Sequence, residues 1–366
     1  MKIDTSFQIT DRQFIFILIG GATGAGILSL PRLATQEALQ DGWISVFISA
    51  LVPLISLLLI ERLCRIYPKY SLSEITDKLF GKFVGRIFTL GYIAYTILIV
   101  STSIRVFVEI TSLYILQRTP TPVILCIYVI FIIYTIMNGS TLVGRFNELV
   151  FYLLPVSLLL ILPSFTASTY TNLLPIGEAG LINILKACFA LSYSYSRTEL
   201  IFVYYPMLKQ KTRVVRDGVI ALGIITFVNV FITIASIVIF GTEVLQKIIW
   251  PFILLYKIVD IPVIERLDLF FLILWTAIAA RPSINYSFVS SYSITQFLNL
   301  KLEKHFSAVS ITTGIIIFVV ALIPKNVQQV FNIITYLGYG YFIAGIGYPI
   351  IFLLASLFLK GRTTKK

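Results

Sequence analysis

The sequence predicts an all-α polytopic membrane protein with ten transmembrane helices, arranged as two five-helix repeats of opposite orientation. Three observations predict this fold class. The 366 residues are 58% hydrophobic and only 13% charged, a composition far too apolar for a soluble domain. The apolar residues fall into ten long runs, and the basic residues gather in the loops on one side of those runs.

The ten runs are long enough to cross a bilayer, since a spanning helix needs about 20 apolar residues. No cleavage site of small residues follows the first run, so we expect it to remain as the first helix. The runs cover residues 13–31, 42–60, 87–113, 121–144, 149–170, 181–206, 216–242, 267–296, 306–324 and 330–359.

The basic residues of the loops and termini are distributed unevenly, with 19 on one side of the predicted membrane and five on the other. Because cytoplasmic loops carry the excess of Lys and Arg, both termini are predicted to be cytoplasmic. This topology accounts for the net charge of +12. The lipid bilayer is therefore an expected partner, and nucleic acid is not.

The ten helices divide into two sets of five within a single transmembrane domain, residues 1–366. The first repeat is predicted at 12–167 and the second at 181–359, and because five is odd the second enters the membrane with opposite orientation. Residues 69–83 read as a short amphipathic helix on the cytoplasmic surface. Residues 246–264 are too interrupted by prolines and charges to span and too apolar for a free loop. They are predicted to form an outer lid between helices 7 and 8.

The middle of helix 1 is the most unusual stretch, with four glycines and a proline within residues 20–31. A helix that breaks inside lipid frees backbone groups that need other partners, so broken helices usually line a cavity that binds a small solute. The alternative is close helix packing, because Gly20 and Gly24 fit a pattern of small residues four apart. We predict a break, with ligand-binding backbone at Thr23, Gly24, Ala25 and Gly26.

Helix 6 is the counterpart of helix 1 in the second repeat, and its middle is also polar, which is costly within a membrane. We therefore predict that it is broken too. Arg197 and Glu199 lie about 200° apart around a helix, so each is expected to find a charge-compensating partner across an interface. The side chains predicted to contact the ligand are Ser192, Tyr193, Tyr195 and Ser196, with hydrogen bonding between helices as the alternative.

Helix 3 contributes two tyrosines at mid-span. Tyr92 and Tyr95 lie on one face of the helix, and we predict that they bind the ligand, with packing in the core as the alternative. Further along the same helix, Arg105 and Glu109 are four residues apart and are expected to form an ion pair.

Helix 8 carries Arg281 at its middle. An isolated arginine at the bilayer midplane is costly, so it needs charge compensation, and a buried pair with Glu199 or Glu109 is the alternative to a role at the binding site. Asn285 and Tyr286 follow on the same helix and are further candidates for binding the ligand.

The sequence lacks several motifs that are typical of enzymes. It contains no HExxH, GxSxG or P-loop motif and no histidine within a predicted span. These absences predict that the protein is not an enzyme and needs no metal or cofactor. Three classes of function remain: a ligand-sensing receptor subunit, a transporter of small solutes, and a scaffold for partner subunits.

Several short motifs resemble those of the endospore germination permease family, the B subunits of nutrient germinant receptors within the amino acid–polyamine–organocation superfamily. The resemblance covers essentially the whole chain. The motifs are Ile9-Thr10-x-x-Gln13, Gly24-x-Gly26-Ile27-Leu28-x-Leu30-Pro31, Glu199 with Pro206, Trp250-Pro251, and Val263-Ile264-Glu265-Arg266-Leu267-Asp268.

This resemblance implies a LeuT-like fold and recognition of a small germinant, often an amino acid, in the spore inner membrane. It also implies an A-type membrane subunit and a C-type lipoprotein subunit as partners. In sodium-coupled relatives an ion lies between helices 1 and 8, and Arg281 would take its place here. We therefore expect a germinant-sensing subunit, with an amino-acid/cation symporter or exchanger as the alternative.

Overall fold

A computed structural model describes residues 7–195, 197–258 and 266–363, and these residues are almost entirely helical. Within these ranges the one extended pairing is a single parallel bridge between Ile9 and Leu208. This bridge holds the segment before the first helix against the segment that follows helix 6. The predicted all-α fold class is confirmed.

The first half of the chain forms eight helices, and an interruption separates the first two. Their bounds are α1 (Asp11–Ala22), α2 (Gly26–Ala38), α3 (Gly42–Ser49), α4 (Leu51–Ile66), α5 (Leu72–Tyr114), α6 (Thr121–Ile136), α7 (Gly139–Phe151) and α8 (Leu153–Leu159).

The second half again begins with an interrupted helix and continues with long spans. A π-helical segment at Phe342–Gly347 joins the last two helices. The bounds are α9 (Gly180–Ala190), α10 (Ser192–Tyr195), α11 (Ile201–Tyr204), α12 (Val214–Leu245), α13 (Pro251–Leu255), α14 (Leu267–Phe297), α15 (Leu302–Leu322), α16 (Val327–Tyr341) and α17 (Tyr348–Thr363).

Seven helical segments of the described chain are long and apolar enough to cross a membrane, and two shorter apolar helices, α6 and α9, accompany them. The protein is therefore a multi-pass membrane protein. The count of ten spans and the boundaries of the two repeats stay predictions.

The two predicted breaks are both present. Residues 23–25 separate α1 from α2, and Arg197 lies outside the helical elements between α10 and the 3-10 turn Thr198–Leu200. A capping box starts α1, where the Thr10 backbone N–H donates to the Gln13 side chain at 3.0 Å. Beyond the breaks, α1 packs against α7, α12 and α14, while α14 lies along α5.

The glycines of helix 1 also serve close packing. A Cβ on Gly20 would lie 1.9 Å from Asn147 Oδ1, and a Cβ on Gly24 would lie 2.6 Å from Pro282 Cγ. The interpretation as small packing residues therefore holds for both positions, because a side chain on either one would push α1 away from α7 or α14.

The predicted surface helix at 69–83 corresponds to the first turns of α5. A capping box at Ser71 and Glu74 starts it, and a kink at Gly81 separates it from the spanning part of the helix. Of the predicted lid, α13 is buried and packs against α2. Residues 259–264 lie outside the described ranges, and the function of this segment as a lid stays a prediction.

The kink at Gly81 gives the first testable prediction. Its φ of 77° and ψ of 169° fall in a region that is essentially restricted to glycine, so Gly81→Ala should cost about 1–3 kcal/mol of stability. Thermal unfolding of the purified protein measures this loss. The matched control is Gly223→Ala, since a Cβ there meets no atom within 4 Å. Equal melting temperatures for the two variants would contradict the prediction.

Candidate functional site

The site forms where the break in helix 1 faces the break in helix 6. Ser194 Oγ donates a hydrogen bond to the carbonyl of Gly26 at 3.4 Å, and Arg197 Nε donates to the carbonyl of Gly21. The two interruptions are therefore joined directly. Residues from α5, α14 and α16 complete the surroundings.

Two buried arginines lie at the carboxyl end of α1. Arg197 binds the Gly21 carbonyl, and Arg281 Nη2 donates to Thr23 Oγ1 at 2.6 Å. The hydroxyl of Thr23 in turn donates to the carbonyl of Ile19 at 2.9 Å. The carboxyl end of a helix carries partial negative charge and unpaired carbonyls. The end of α1 therefore supplies part of the compensation that Arg281 needs.

The predicted alternative partners of Arg281 are engaged elsewhere. Glu109 pairs with Arg105 at 3.1 Å, as the sequence predicted. Among the described residues no ion pair includes Arg281. Neither Glu109 nor Glu199 forms an ion pair with Arg281 among these contacts.

Glu199 is fully buried at the helix 6 break, and three tyrosines surround it. Tyr95 donates to Glu199 Oε1 at 3.3 Å, and Tyr286 donates to the same oxygen. Tyr92 donates to the backbone carbonyl of Glu199 at 2.9 Å. The structure thus brings together both predicted tyrosines of helix 3, which is part of α5, and Tyr286 of helix 8, which is α14. All three contact the predicted carboxylate residue of helix 6.

Tyr286 links the two charged residues of helix 6. Arg197 Nη1 donates to the Tyr286 hydroxyl at 3.5 Å, and the guanidinium lies 5.1 Å from the centre of the Tyr286 ring. The same hydroxyl donates to Glu199. Arg197 and Glu199, which were expected to find partners across an interface, therefore share a tyrosine from helix 8.

Other predicted site residues have structural hydrogen bonds. Asn285 Nδ2 donates to the Ile17 carbonyl at 2.9 Å, and Asn285 Oδ1 accepts from Asn147 Nδ2 at 2.7 Å. This pair ties α14 to α1 and α7. Tyr195 donates to the Val46 carbonyl of α3 at 2.8 Å. The side chains of Ser192 and Tyr193, and all of Ser196, lie outside the described part.

A second set of contacts at helix 6 was not predicted from the sequence. Thr198 Oγ1 donates to Ser56 Oγ at 2.7 Å and lies 2.9 Å from the Tyr341 hydroxyl. Ser56 in turn donates to the carbonyl of Gly345 at 2.6 Å. These bonds connect the break to α4 and to the end of α16. The available signal was a hydroxyl residue directly beside the charges of helix 6.

Two buried charged atoms at the site have no hydrogen-bond partner among the described residues. They are Glu199 Oε2, on the break of helix 6, and Arg281 Nη1, beside the break of helix 1. The backbone N–H groups of Gly24 and Ala25 also donate to no described acceptor. A buried anion, a buried cation and free amides at a helix start can bind a small zwitterion.

The described residues contain no group of three or more His, Cys, Asp or Glu placed to hold a metal ion. The polar groups of the site are hydroxyls, one carboxylate and two guanidinium groups. They suit recognition of an organic ligand.

Comparison of sequences finds relatives with similar length. The chain is 26% identical over 333 residues to spore germination protein YndE of Bacillus subtilis (strain 168), covering 88% of this chain and 89% of the relative. It is 25% identical to spore germination protein B2 of the same strain over 342 residues, covering 92% of each. Spore germination protein A2 of that strain is 26% identical over 370 residues, covering 99% of each.

Comparison of structures finds transporters of the LeuT fold. MhsT in complex with L-phenylalanine superposes with a TM-score of 0.66 at 17% identity, covering 94% of this chain and 97% of MhsT. A Na⁺-coupled sialic acid symporter gives a TM-score of 0.67 at 15% identity, covering 92% of this chain and 79% of the symporter. The predicted LeuT-like fold is confirmed.

Family and fold are thus those of receptors and transporters rather than enzymes. Residues 8–330 match the spore germination protein family, known as the spore permeases. This match includes both breaks and every predicted site residue. The chain belongs to the spore germination protein family.

Proposed function

We propose that this chain is the germinant-sensing subunit of a spore germination receptor and that it binds a small ligand between the two helix breaks. The observation that carries the proposal is that one atom of each of two buried charged groups, Glu199 Oε2 and Arg281 Nη1, has no hydrogen-bond partner among the described residues. Burying a charge without a partner is costly, so a bound ligand of complementary charge would remove that cost in the sensing state.

The favoured ligand class is an amino acid. Its carboxylate would bind at the start of α2, where free amides and the helix dipole attract an anion, with Arg281 nearby. Its ammonium group would bind Glu199 Oε2, next to the side chains of Tyr95 and Tyr286. MhsT, which shares the fold, binds L-phenylalanine in its structure, and this supports an amino acid as the class.

Arg281 has a specific place in the proposal. We propose that its guanidinium, held on Thr23 at the contact between α1 and α14, supplies the positive charge that a sodium ion supplies in sodium-coupled proteins of this fold. A fixed cation cannot dissociate, so ligand binding would not need an ion gradient. This feature favours a receptor over the alternative, an amino-acid/cation symporter or exchanger.

The setting that we propose is the spore inner membrane, with both termini in the cytoplasm. The germination relatives support it, and so does the distribution of basic residues described above. An A-type membrane subunit and a C-type lipoprotein are the proposed partners.

The test uses spores in which this chain is the only B-type subunit, exposed in turn to single amino acids, sugars and nucleosides. We expect one or more nutrients, an amino acid among them, to trigger germination that is lost when the chain is deleted. We also expect the nutrient response to be unchanged when sodium is replaced by N-methyl-D-glucamine.

If spores that lack the chain responded to every nutrient as the wild type does, the proposal would be contradicted. A response that required sodium, together with sodium-driven uptake of the same nutrient by proteoliposomes containing the chain alone, would instead establish the symporter. Spores lacking all B-type subunits and empty liposomes are the controls.

A further inference from the structure

A cavity of about 390 Å³ lies between α2, α9 and α16. The N-terminal segment leads into α1, whereas this cavity is lined by α2, which follows the break. The cavity therefore lies on the far side of the break from the N-terminus. Arg32, which lines it, is six residues past Gly26, about 9 Å further along the helix. The cavity is therefore separate from the site between the two breaks.

The charge of this cavity is positive. Among the described residues that line it, the charged ones are Arg32 and Lys186, and neither takes part in any of the ion pairs of the described chain. Arg32 Nε is buried and has no described hydrogen-bond partner. Two cations at one concave surface without an acid raise the local affinity for anions.

The aromatic lining holds the arginine in place. The guanidinium of Arg32 lies 5.8 Å from the centre of the Phe331 ring, and that ring packs against Trp250 at 5.5 Å. Phe331 is in the second turn of α16, and Gln328 in the first turn also lines the cavity. The positive end of α16 therefore faces the same space and adds to its attraction for an anion.

We propose that this outer cavity binds a small organic carboxylate. The carboxylate would contact Arg32 and Lys186, because a guanidinium matches the planar geometry of a carboxylate. An apolar body would lie against Phe331, Phe189 and Tyr339. The volume lies within the range of about 300–1,000 Å³ that is typical of small-molecule sites. The site does not depend on the function proposed for the helix breaks.

The experiment measures binding of radiolabelled benzoate to the full-length protein in lipid nanodiscs at constant ionic strength. Benzyl alcohol, which has the same ring without the charge, is the competitor that separates anion recognition from apolar binding. We expect saturable benzoate binding that benzyl alcohol displaces poorly. Removing a charged hydrogen-bond donor should weaken binding about tenfold, so this is the effect expected for Arg32→Gln, and a smaller loss is expected for Lys186→Gln.

The control variants test whether benzoate binds at this cavity. Lys247→Gln removes an exposed cation outside the cavity and should leave benzoate binding unchanged. Equal binding of benzoate by the wild type, Arg32→Gln and Lys186→Gln would overturn the proposal. Displacement by benzyl alcohol at the same concentration as benzoate would also overturn it. If Arg32→Gln does not fold, the binding of benzoate by Lys186→Gln and the competition with benzyl alcohol still test the proposal.

Discussion

Spores whose receptor carries Glu199→Gln are expected to need roughly 30-fold more nutrient, or to fail to germinate, because losing one partner of a buried charge contact costs about 2–5 kcal/mol. Glutamine keeps an oxygen that can accept from Tyr95 and Tyr286. It replaces the unpartnered Oε2 with a neutral group that cannot hold an ammonium ion. Nutrient dose–response curves of germination measure the effect.

The matched control for this variant is Glu243→Gln, which changes an exposed carboxylate. Both variants should reach wild-type protein levels, since the buried hydrogen bonds of position 199 are kept. A normal dose–response curve for Glu199→Gln would show that the carboxylate has a structural function only.

Replacement of Arg281 by methionine is expected to separate stability from function. The arginine is fully buried and has no acidic partner among the described residues. Burying a charged group without an ionic partner is costly, so an apolar side chain of similar length should keep or raise the stability. We expect Arg281→Met to melt at or above the wild-type temperature and to lose the germinant response, as residues that serve function at a cost in stability do.

Thermal unfolding and germination assays on the same variant check this expectation. Arg118→Met, at an exposed loop position, is the control and should change neither property. Strong destabilisation by Arg281→Met would mean that the guanidinium is primarily structural. A normal response would exclude it from sensing.

Much of the site could be predicted because its signals are local in the sequence. Glycines and charges within an apolar run are costly in lipid, and they marked both breaks and Glu199. The spacing of Tyr92 and Tyr95 placed them on one face, and the structure brings both to Glu199. The site residues stay predictions as ligand contacts.

The missed contacts join residues that are far apart in the chain. Asn147 meets Asn285 across 138 positions, and Ser56 meets Thr198 across 142. Single hydroxyl and amide residues are common in membrane helices and usually bond to their own backbone. Nothing in the sequence shows which of them turn towards another helix. The same reasoning explains why Asn285, expected at the ligand, is engaged with Asn147.

Hydrogen exchange of the receptor, with and without the nutrient identified in the spore assay, tests directly whether the ligand binds between the two helix breaks. We expect slower exchange of the backbone amides in residues 23–27 and 197–200, because the ligand would bind the free amides of helix 1 and order the helix 6 break. Residues 327–335, at the cavity between α2, α9 and α16, should be unaffected. Protection confined to segments away from both breaks would show that the ligand binds elsewhere.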